Sequence, residues 1–343
     1  MLAIGLDVHQ KRTALAMLDS DTGEVRERKV PTSDVPEFLH ELSGEKRVVL
    51  EAGCMSAFIA RQLGLLGVDV IVVDAFKSHR FAEALNTAKT DQLDALALAR
   101  LAHEGAEELA VWVPDESTDD LRTVTRVRRK LVQQGTRLRN EIRGLIRHEG
   151  CRCRYSKLTG QAAQVWLNGF ETQLPLGKRS ALRQLRLALT DNVARIGELD
   201  DVLAELVKDC AAVQRLMTIC GCGRLLAATI VAEIGDPNRF ADASHLRSYT
   251  GLVPHVHQSG ERQRTGRLTR RGNPFLRHAL VMLAQHVAMK QDVKDTPLKR
   301  AYNRHLHRYG PNPAKVALAR KLCDIILAML RDGTDFDLTR LAA

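Results

Sequence analysis

"MLAIGLDVHQ" (residues 1–10) runs apolar through Leu6 and then sets an aspartate between Leu6 and Val8. An unpaired charge taken out of water is strongly destabilising, so a strand heading for a core needs a reason to end on Asp7. The neighbouring segments frame that question. "RTALAML" (12–18) reads as a second strand, closed by the turn residues "DSDTG". "EVRERKV" (24–30) alternates as a half-exposed third strand. Thr32 or Ser33 can cap a helix whose Val35, Phe38, Leu39 and Leu42 fall at helical spacing, ending at Gly44. "RVVLEAG" (47–53) is then a strand ending on Glu51, "MSAFIARQLGLLG" (55–67) a helix, and "VDVIVVDA" (68–75) a fully apolar strand. Three strands followed by alternating helix and strand predict an α/β fold, a mixed sheet with helices on its faces.

Asp7 then gains company. Glu51 ends a second apolar strand, and in "KTDQLDALALAR" (89–100) Asp91 and Asp94 open a helix, where positions i and i+3 share one face. Strand ends on neighbouring strands converge at the same edge of a sheet. Like charges within about 4 Å of each other repel by on the order of 4 kcal/mol per pair at a surface-like dielectric, so something positive must offset them. An oxygen-only donor set suits Mg²⁺ or Mn²⁺, and a pair of such ions suits attack on a phosphodiester. Each acid alone has a plainer reading: Asp91 as a helix N-terminal charge, Glu51 before Gly53 as a strand end. Asp74 at the end of "VDVIVVDA" competes on the same grounds.

From Thr118 to His148, Leu121, Val124, Val127, Leu131, Gly135, Leu138, Ile142 and Leu145 recur every three or four residues with arginines between them, predicting a long amphipathic, paired helix. A second helical stretch covers about Ser180 to Met217, with the basic connector "GCRCRYSKLTG" (150–160) before it. Beyond Ile219 the chain reads as helices and loops rich in Gly and Arg, with a last amphipathic helix at "PAKVALARKLCDIILAML" (313–330). The formal net charge of +10 is unevenly spread: 122–157 carries +10 and 251–310 carries +9, leaving the remainder at −9. Two such blocks point to a polyanion partner, with solvated helix faces as the alternative. In "HQSGERQRTGRLTRRGNPFLR" (257–277), Arg262, Arg264, Arg267, Arg270 and Arg271 form an arginine-dense loop suited to gripping phosphates, leading into a helix near Asn273 or Pro274. On residues alone, Ser259 before Gly260 is an exposed turn. The cysteine pairs 151/153 and 220/222 are C-x-C without a following His/Cys partner pattern, which argues against zinc and for a reduced compartment. No apolar run reaches eighteen residues and no signal peptide opens the chain, so a soluble cytoplasmic protein is expected.

"IGLDVHQ", "VVLEAG" and "KTDQLDALALA" resemble the RuvC-like D-E-D-D nuclease domain of a bacterial insertion-sequence transposase family, the one that includes the Piv DNA invertase and the bridge-RNA-guided recombinases. The resemblance implies a ribonuclease H-like fold and places the catalytic, metal-holding tetrad on Asp7, Glu51, Asp91 and Asp94, with no counterpart for Asp74. "SYTGLVP", "SG" and "GRLTRRGNPFLR" are similar to the family's helical C-terminal domain, which implies Ser259 as nucleophile. A serine hydroxyl is a weak nucleophile until a base or metal takes its proton. In the family, the acidic cluster of one subunit is expected to meet the serine of another. "ICGCGRLLAATIVAEIGDPNRF" (219–240) resembles its helix-hairpin-helix element, in which Gly221 and Gly223 would offer N–H groups to a phosphate. Cys220 and Cys222 replace the usual Pro and Ile there.

The resulting expectation is an α/β plus all-α chain: a RuvC-like domain at 1–113, a helical coiled-coil linker at 114–208, and a helical serine domain at 209–343. It would be a Mg²⁺- or Mn²⁺-dependent DNA transposase or recombinase acting on donor and target DNA, guided by a structured bridge RNA and assembling as a dimer or tetramer. The alternatives are an invertase or junction-processing nuclease without guide RNA, and a non-catalytic nucleic-acid-binding scaffold. The first hairpin also suits an actin-like sugar kinase, but the second glycine-rich phosphate loop that such a kinase needs is missing from the sequence.

Overall fold

The computed structural model describes residues 1–84, 90–259, 262–269, 272–289 and 296–339, with backbone alone at 82–84, 254–259 and 262–268. The chain divides into two compact units, Met1–Asp115 and Glu116–Ala343.

The first unit is built on a five-stranded mixed sheet in the order β3-β2-β1-β4-β5. Its strands are β1 (Leu2–Val8), β2 (Arg12–Asp19), β3 (Val25–Pro31), β4 (Lys46–Glu51) and β5 (Asp69–Val73). The first three form an antiparallel meander, and β1, β4 and β5 run parallel. Alternation along each strand sorts the residues between two faces. Ile4, Leu6, Leu15, Met17, Val48 and Leu50 pack against α1 (Val35–Glu41) and α2 (Ser56–Leu65) through Val35, Leu39, Ile59 and Leu63. The other face is lined by Ala3, Val49 and Val73, which meet Leu98, Leu101 and Ala102 of α4 (Asp91–Glu104). A third helix, α3 (Ala75–Ala84), precedes α4.

Helix α4 lies unusually close to the sheet. Ala14 and Ala16 pack on Ala95 and Ala99. A Cβ added at Gly5 would stand 2.0 Å from the Ala95 carbonyl oxygen and 2.4 Å from the Ala99 nitrogen. Only a residue without a side chain fits between strand and helix backbones there.

The second unit begins with α5 (Glu116–His148), which packs antiparallel on α7 (Leu176–Leu206). Arg128 pairs with Asp200, Gly135 faces Asn192, and Glu149 pairs with Lys178. The pairing anticipated for the long helix is thus met within one chain, and by itself it requires no second copy. Between them α6 (Gln161–Thr172) fills a stretch where no helix was anticipated. Its Leu167 and Phe170 close a small core with Ile142, Ile146 and Leu182. The stretch expected to be helical through Met217 breaks after Leu206 and resumes as α8 (Ala211–Met217). A larger core unites α8 with α9 (Arg224–Ile234), α10 (Ala243–Thr250), α11 (Pro274–Met289), α12 (Pro297–Tyr309) and α13 (Pro311–Asp332). The arginine-rich segment expected as a loop is a two-stranded antiparallel hairpin, β6 (Pro254–Ser259) and β7 (Arg262–Leu268). Two polar strands carry no apolar alternation, which hid them from pattern reading. Thr32, expected as a helix cap, instead donates its hydroxyl to the His9 carbonyl at 2.7 Å, and α1 starts from Asp34 without a side-chain cap bond.

Gly5→Ala is expected to destabilise the first unit by about 3 kcal/mol or more, the upper range for overpacking. That corresponds to a fall of roughly 10 °C in melting temperature, read by circular dichroism. Gly64→Ala in α2, where an added Cβ meets nothing within 4 Å, should leave it unchanged or raise it.

Candidate functional site

Asp7 leaves β1 on the face that carries Ala3 and Gly5, so it points toward the N-terminal turn of α4. Thr90 caps that turn by accepting the Leu93 N–H at 3.3 Å, which sets Asp91 and Asp94 in the first turn. The parallel register pairs Leu6 with Leu50, so Glu51 follows beside Asp7 on the next strand. One carboxylate oxygen each from Asp7 and Asp91 and a ring nitrogen of His9 lie within 4.8 Å of one another. His9 Nε2 stands 3.1 Å from Asp7 Oδ2 and 3.5 Å from Asp91 Oδ1.

Glu51 and Asp94 lie outside this tight group. Glu51 accepts the Ser78 hydroxyl at 2.6 Å. Both nonetheless act on Asp7. Burial pushes the Asp7 carboxyl above its ordinary range, His9 opposes that, and the charges of Asp91, Asp94 and Glu51 push it up further. Asp91 is moved the other way, because the Lys29 ammonium donates to its Oδ2 at 2.8 Å. Asp74 serves the fold locally, accepting the N–H groups of Phe76 and Lys77 at the start of α3.

His9 and Lys29 carry no mark in the sequence. Lys29 reaches the site by sheet register, since Asp7 pairs with Ala14 and Ala14 with Lys29 across β1, β2 and β3. The methyl of Ala14 leaves room for the lysine to reach Asp91. The alternation of "EVRERKV" places Lys29 on one face of β3 but does not say which residue stands opposite. The donor set fits a hard divalent cation, being dominated by carboxylate oxygens that repel one another. Asp7 and Asp91 would hold it, with His9 as a nitrogen donor that Mn²⁺ tolerates better than Mg²⁺ does.

In the second unit, Ser259 is the last residue of β6 and pairs with Arg262 at the start of β7, while Arg264 and Arg267 lie further along that strand. Arg270 and Arg271 lie outside the described residues. Both ends of the hairpin segment are clamped. The Asn273 N–H donates to the Tyr249 carbonyl at 2.7 Å, and the Thr269 N–H donates to the Val253 carbonyl at 2.9 Å. Gly272 has φ +113°, with room for no Cβ against the Tyr249 carbonyl. Beneath the clamp lies fully buried Glu233, which accepts Arg126 through two bonds of 2.7 Å and the Asn273 side-chain amide at 2.7 Å. Asn273 Oδ1 in turn accepts the Phe275 and Leu276 N–H groups at the start of α11.

Gly223 is the N-cap of α9, and Gly221, at φ +89°, packs on His286 of α11, whose Nδ1 is 3.1 Å from the Gly221 oxygen. The α8–turn–α9 arrangement is therefore present. Among the described residues, no helix is long and apolar enough to cross a membrane.

Comparison with known proteins agrees with this layout. A DEDD-type transposase model of the IS110 group matches residues 4–148, and a model described as "Transposase IS116/IS110/IS902 family" matches residues 213–302. The chain is 29% identical over 340 residues to a probable family 20 transposase of Pseudomonas aeruginosa, covering 96% of this chain and 97% of that protein. It is 32% identical over 247 residues to the transposase for insertion sequence element IS1111A of Coxiella burnetii, covering 71% of this chain and 66% of that one. It is also 26% identical over 272 residues to the pilin gene-inverting protein of Moraxella bovis, covering 78% and 74%. With transposase models matching in each of its two units and a transposase aligned along nearly its whole length, the chain belongs to the IS116/IS110/IS902 transposase family.

Proposed function

We propose that this transposase cleaves and exchanges DNA strands with a divalent cation held by Asp7 and Asp91, supported by Glu51 and Asp94, and with Ser259 as the nucleophile. The observation that carries the reading is the convergence of Asp7 with Asp91 at the end of β1, within reach of the charges of Asp94 and Glu51. Mg²⁺ or Mn²⁺ at this point supplies positive charge to a phosphodiester under attack. The Lys29 ammonium holds Asp91 in place and lowers the repulsion among the carboxylates. A non-catalytic scaffold offers no reason to gather these acids.

The serine assignment rests on the family resemblance of "SG" and "GRLTRRGNPFLR", and on the place of Ser259 at the end of β6 beside Arg262. In that reading the serine hydroxyl loses its proton and its oxygen bonds to phosphorus, the bond from phosphorus to the sugar oxygen breaks and that oxygen takes up a proton, and a covalent protein–DNA link results. Arg262, Arg264, Arg267, Arg270 and Arg271 grip phosphates, and Gly221 and Gly223 offer backbone N–H groups. Meeting of serine and carboxylates from different subunits, a dimer or tetramer, and guidance by a bridge RNA belong to the same proposal. So does the three-part division at 1–113, 114–208 and 209–343, although the larger core of the second unit also takes in Leu121, Val124, Leu203 and Val207. Inversion of a DNA segment is a second reading, favoured by the likeness to the pilin gene-inverting protein.

Asp7→Ala and Ser259→Ala should each abolish strand exchange on a plasmid carrying the element's ends while leaving the melting curve intact. Undiminished recombination by either variant refutes its role. RNA co-purifying with protein expressed from its native flanks tests the guide, and finding none removes that part.

In metal-free buffer, Asp7→Asn is expected to melt higher than the wild type near neutral pH. The folded protein holds the Asp7 proton more tightly than the unfolded chain, whose ordinary value is 3.8. The contribution of Asp7 to stability therefore falls as pH rises through the raised native value. The difference between the two melting temperatures should widen across that window and then level off. Mn²⁺ at about one hundred times its Kd should stabilise the wild type by about 2.7 kcal/mol. Neither Asp7→Asn nor Asp91→Asn should show that gain in a thermal-shift titration.

A further inference from the structure

Within the two basic segments, individual cations are used differently. In the first, Arg122 donates to the Ala232 and Glu233 carbonyls, Arg126 to the Glu233 carboxylate, Arg128 to Asp200, and Arg143 to the Tyr155 and Ser156 carbonyls. These cations are engaged inside the unit. On α12, Arg304 and Arg308 differ from these. From Thr296 to Cys323 the chain holds no acidic residue. At 3.6 residues per turn, Arg300, Arg304, His307 and Arg308 fall within an arc of about 100°. The opposite side carries buried Leu298 and Tyr302, with Leu306 packed on the same core. Arg300, Arg304, His307 and Arg308 are all exposed. Among the described residues, Arg304 and Arg308 make no ion pair, and the Arg308 guanidinium lies over the Tyr309 ring at 5.1 Å, which preserves its charge.

We propose that this stripe of α12 is a contact surface for the phosphate backbone of duplex DNA. Like charges one turn apart repel along the helix, and an external row of anions removes that cost. Arg300 to Arg308 spans about 12 Å of helix axis. That length faces several phosphates of a duplex carrying one charge per roughly 1.7 Å. No Phe, Tyr or Trp lies within the arc, and apart from His307 it offers only cations, which favours a phosphate backbone over stacked unpaired bases. The surface lies outside the serine hairpin and the Gly221–Gly223 turn, and it contributes affinity and register rather than sequence choice.

The inference rests on the reading of the chain as a DNA-handling enzyme, and the test separates the two. Binding of the full-length protein to a mixed-sequence duplex is followed by fluorescence anisotropy at a series of salt concentrations. Arg304→Gln with Arg308→Gln should reduce the log–log salt slope by about 1.8, at 0.9 per phosphate contact, with an unchanged melting curve. Arg128→Gln, which breaks an internal pair, should lower the melting temperature and leave the slope as it was. A wild-type slope in the double variant overturns the α12 surface alone. So does a loss seen with single-stranded RNA and not with the duplex. Failure of the wild type to bind DNA at any salt concentration defeats both readings.

Discussion

The near contact of two backbones, β1 at Gly5 and α4 at Ala95 and Ala99, is the constraint on which the acidic site depends. At that contact the residues are small: Gly5 on β1, Ala14 and Ala16 on β2, Ala95 and Ala99 on α4. A helix seated on large residues would stand several ångströms further from the sheet. Its first-turn aspartates would then stand clear of the β1 terminus. The hydrophobic effect gains little from alanines, so the close approach is obtained through shape rather than through buried area. Most of the unit's apolar burial lies on the opposite face, under α1 and α2, leaving the α4 face free to be arranged for charge.

That arrangement balances an excess of anions with cations from unexpected places. Asp7 is partly buried and pressed by three other acids, while Asp91 is relieved by Lys29. Lys29 is two strands from Asp7 and joined to it only through the Ala14 register. His9 follows β1 directly, and its carbonyl is pinned by Thr32, whose hydroxyl also bonds Thr13. The same residues that open the helix layer thus fix the turn that carries the third donor. The Lys29 ammonium supplies positive charge beside Asp91, within the acidic cluster.

How much of this is legible in one dimension differs by element. The strands of the first unit stand out, because each is an apolar run closed by turn residues, and Asp7 stands out because it breaks such a run. Asp91 and Asp94 are legible from helical spacing. Lys29 is not, since cross-strand partnership depends on a register fixed by turns and packing rather than by the strand's own residues. His9 is hidden because a single histidine just past a strand carries no pattern. In the second unit, α6 is masked between two longer helices, and the β6–β7 hairpin lacks the apolar alternation that marks strands. Glu233 sits in a run of good helix formers, where nothing marks a carboxylate as fully buried.

Glu233 also shows why a charge count misleads. Buried and paired with Arg126 and Asn273, it ties α5 and α9 to the start of α11 and so holds both ends of the serine hairpin. Losing one partner of such a group would leave a charge uncompensated in the core, which is far costlier than losing a surface pair. Arg122, Arg126, Arg128 and Arg143 of α5, which in the sequence look like part of a nucleic-acid patch, are therefore part of the scaffold. Arg304 and Arg308 of α12, carried in a segment of nearly the same net charge, face solvent instead. What separates an interface from a framework in this molecule is the number of partners each cation already has, a property of the fold that net charge does not encode.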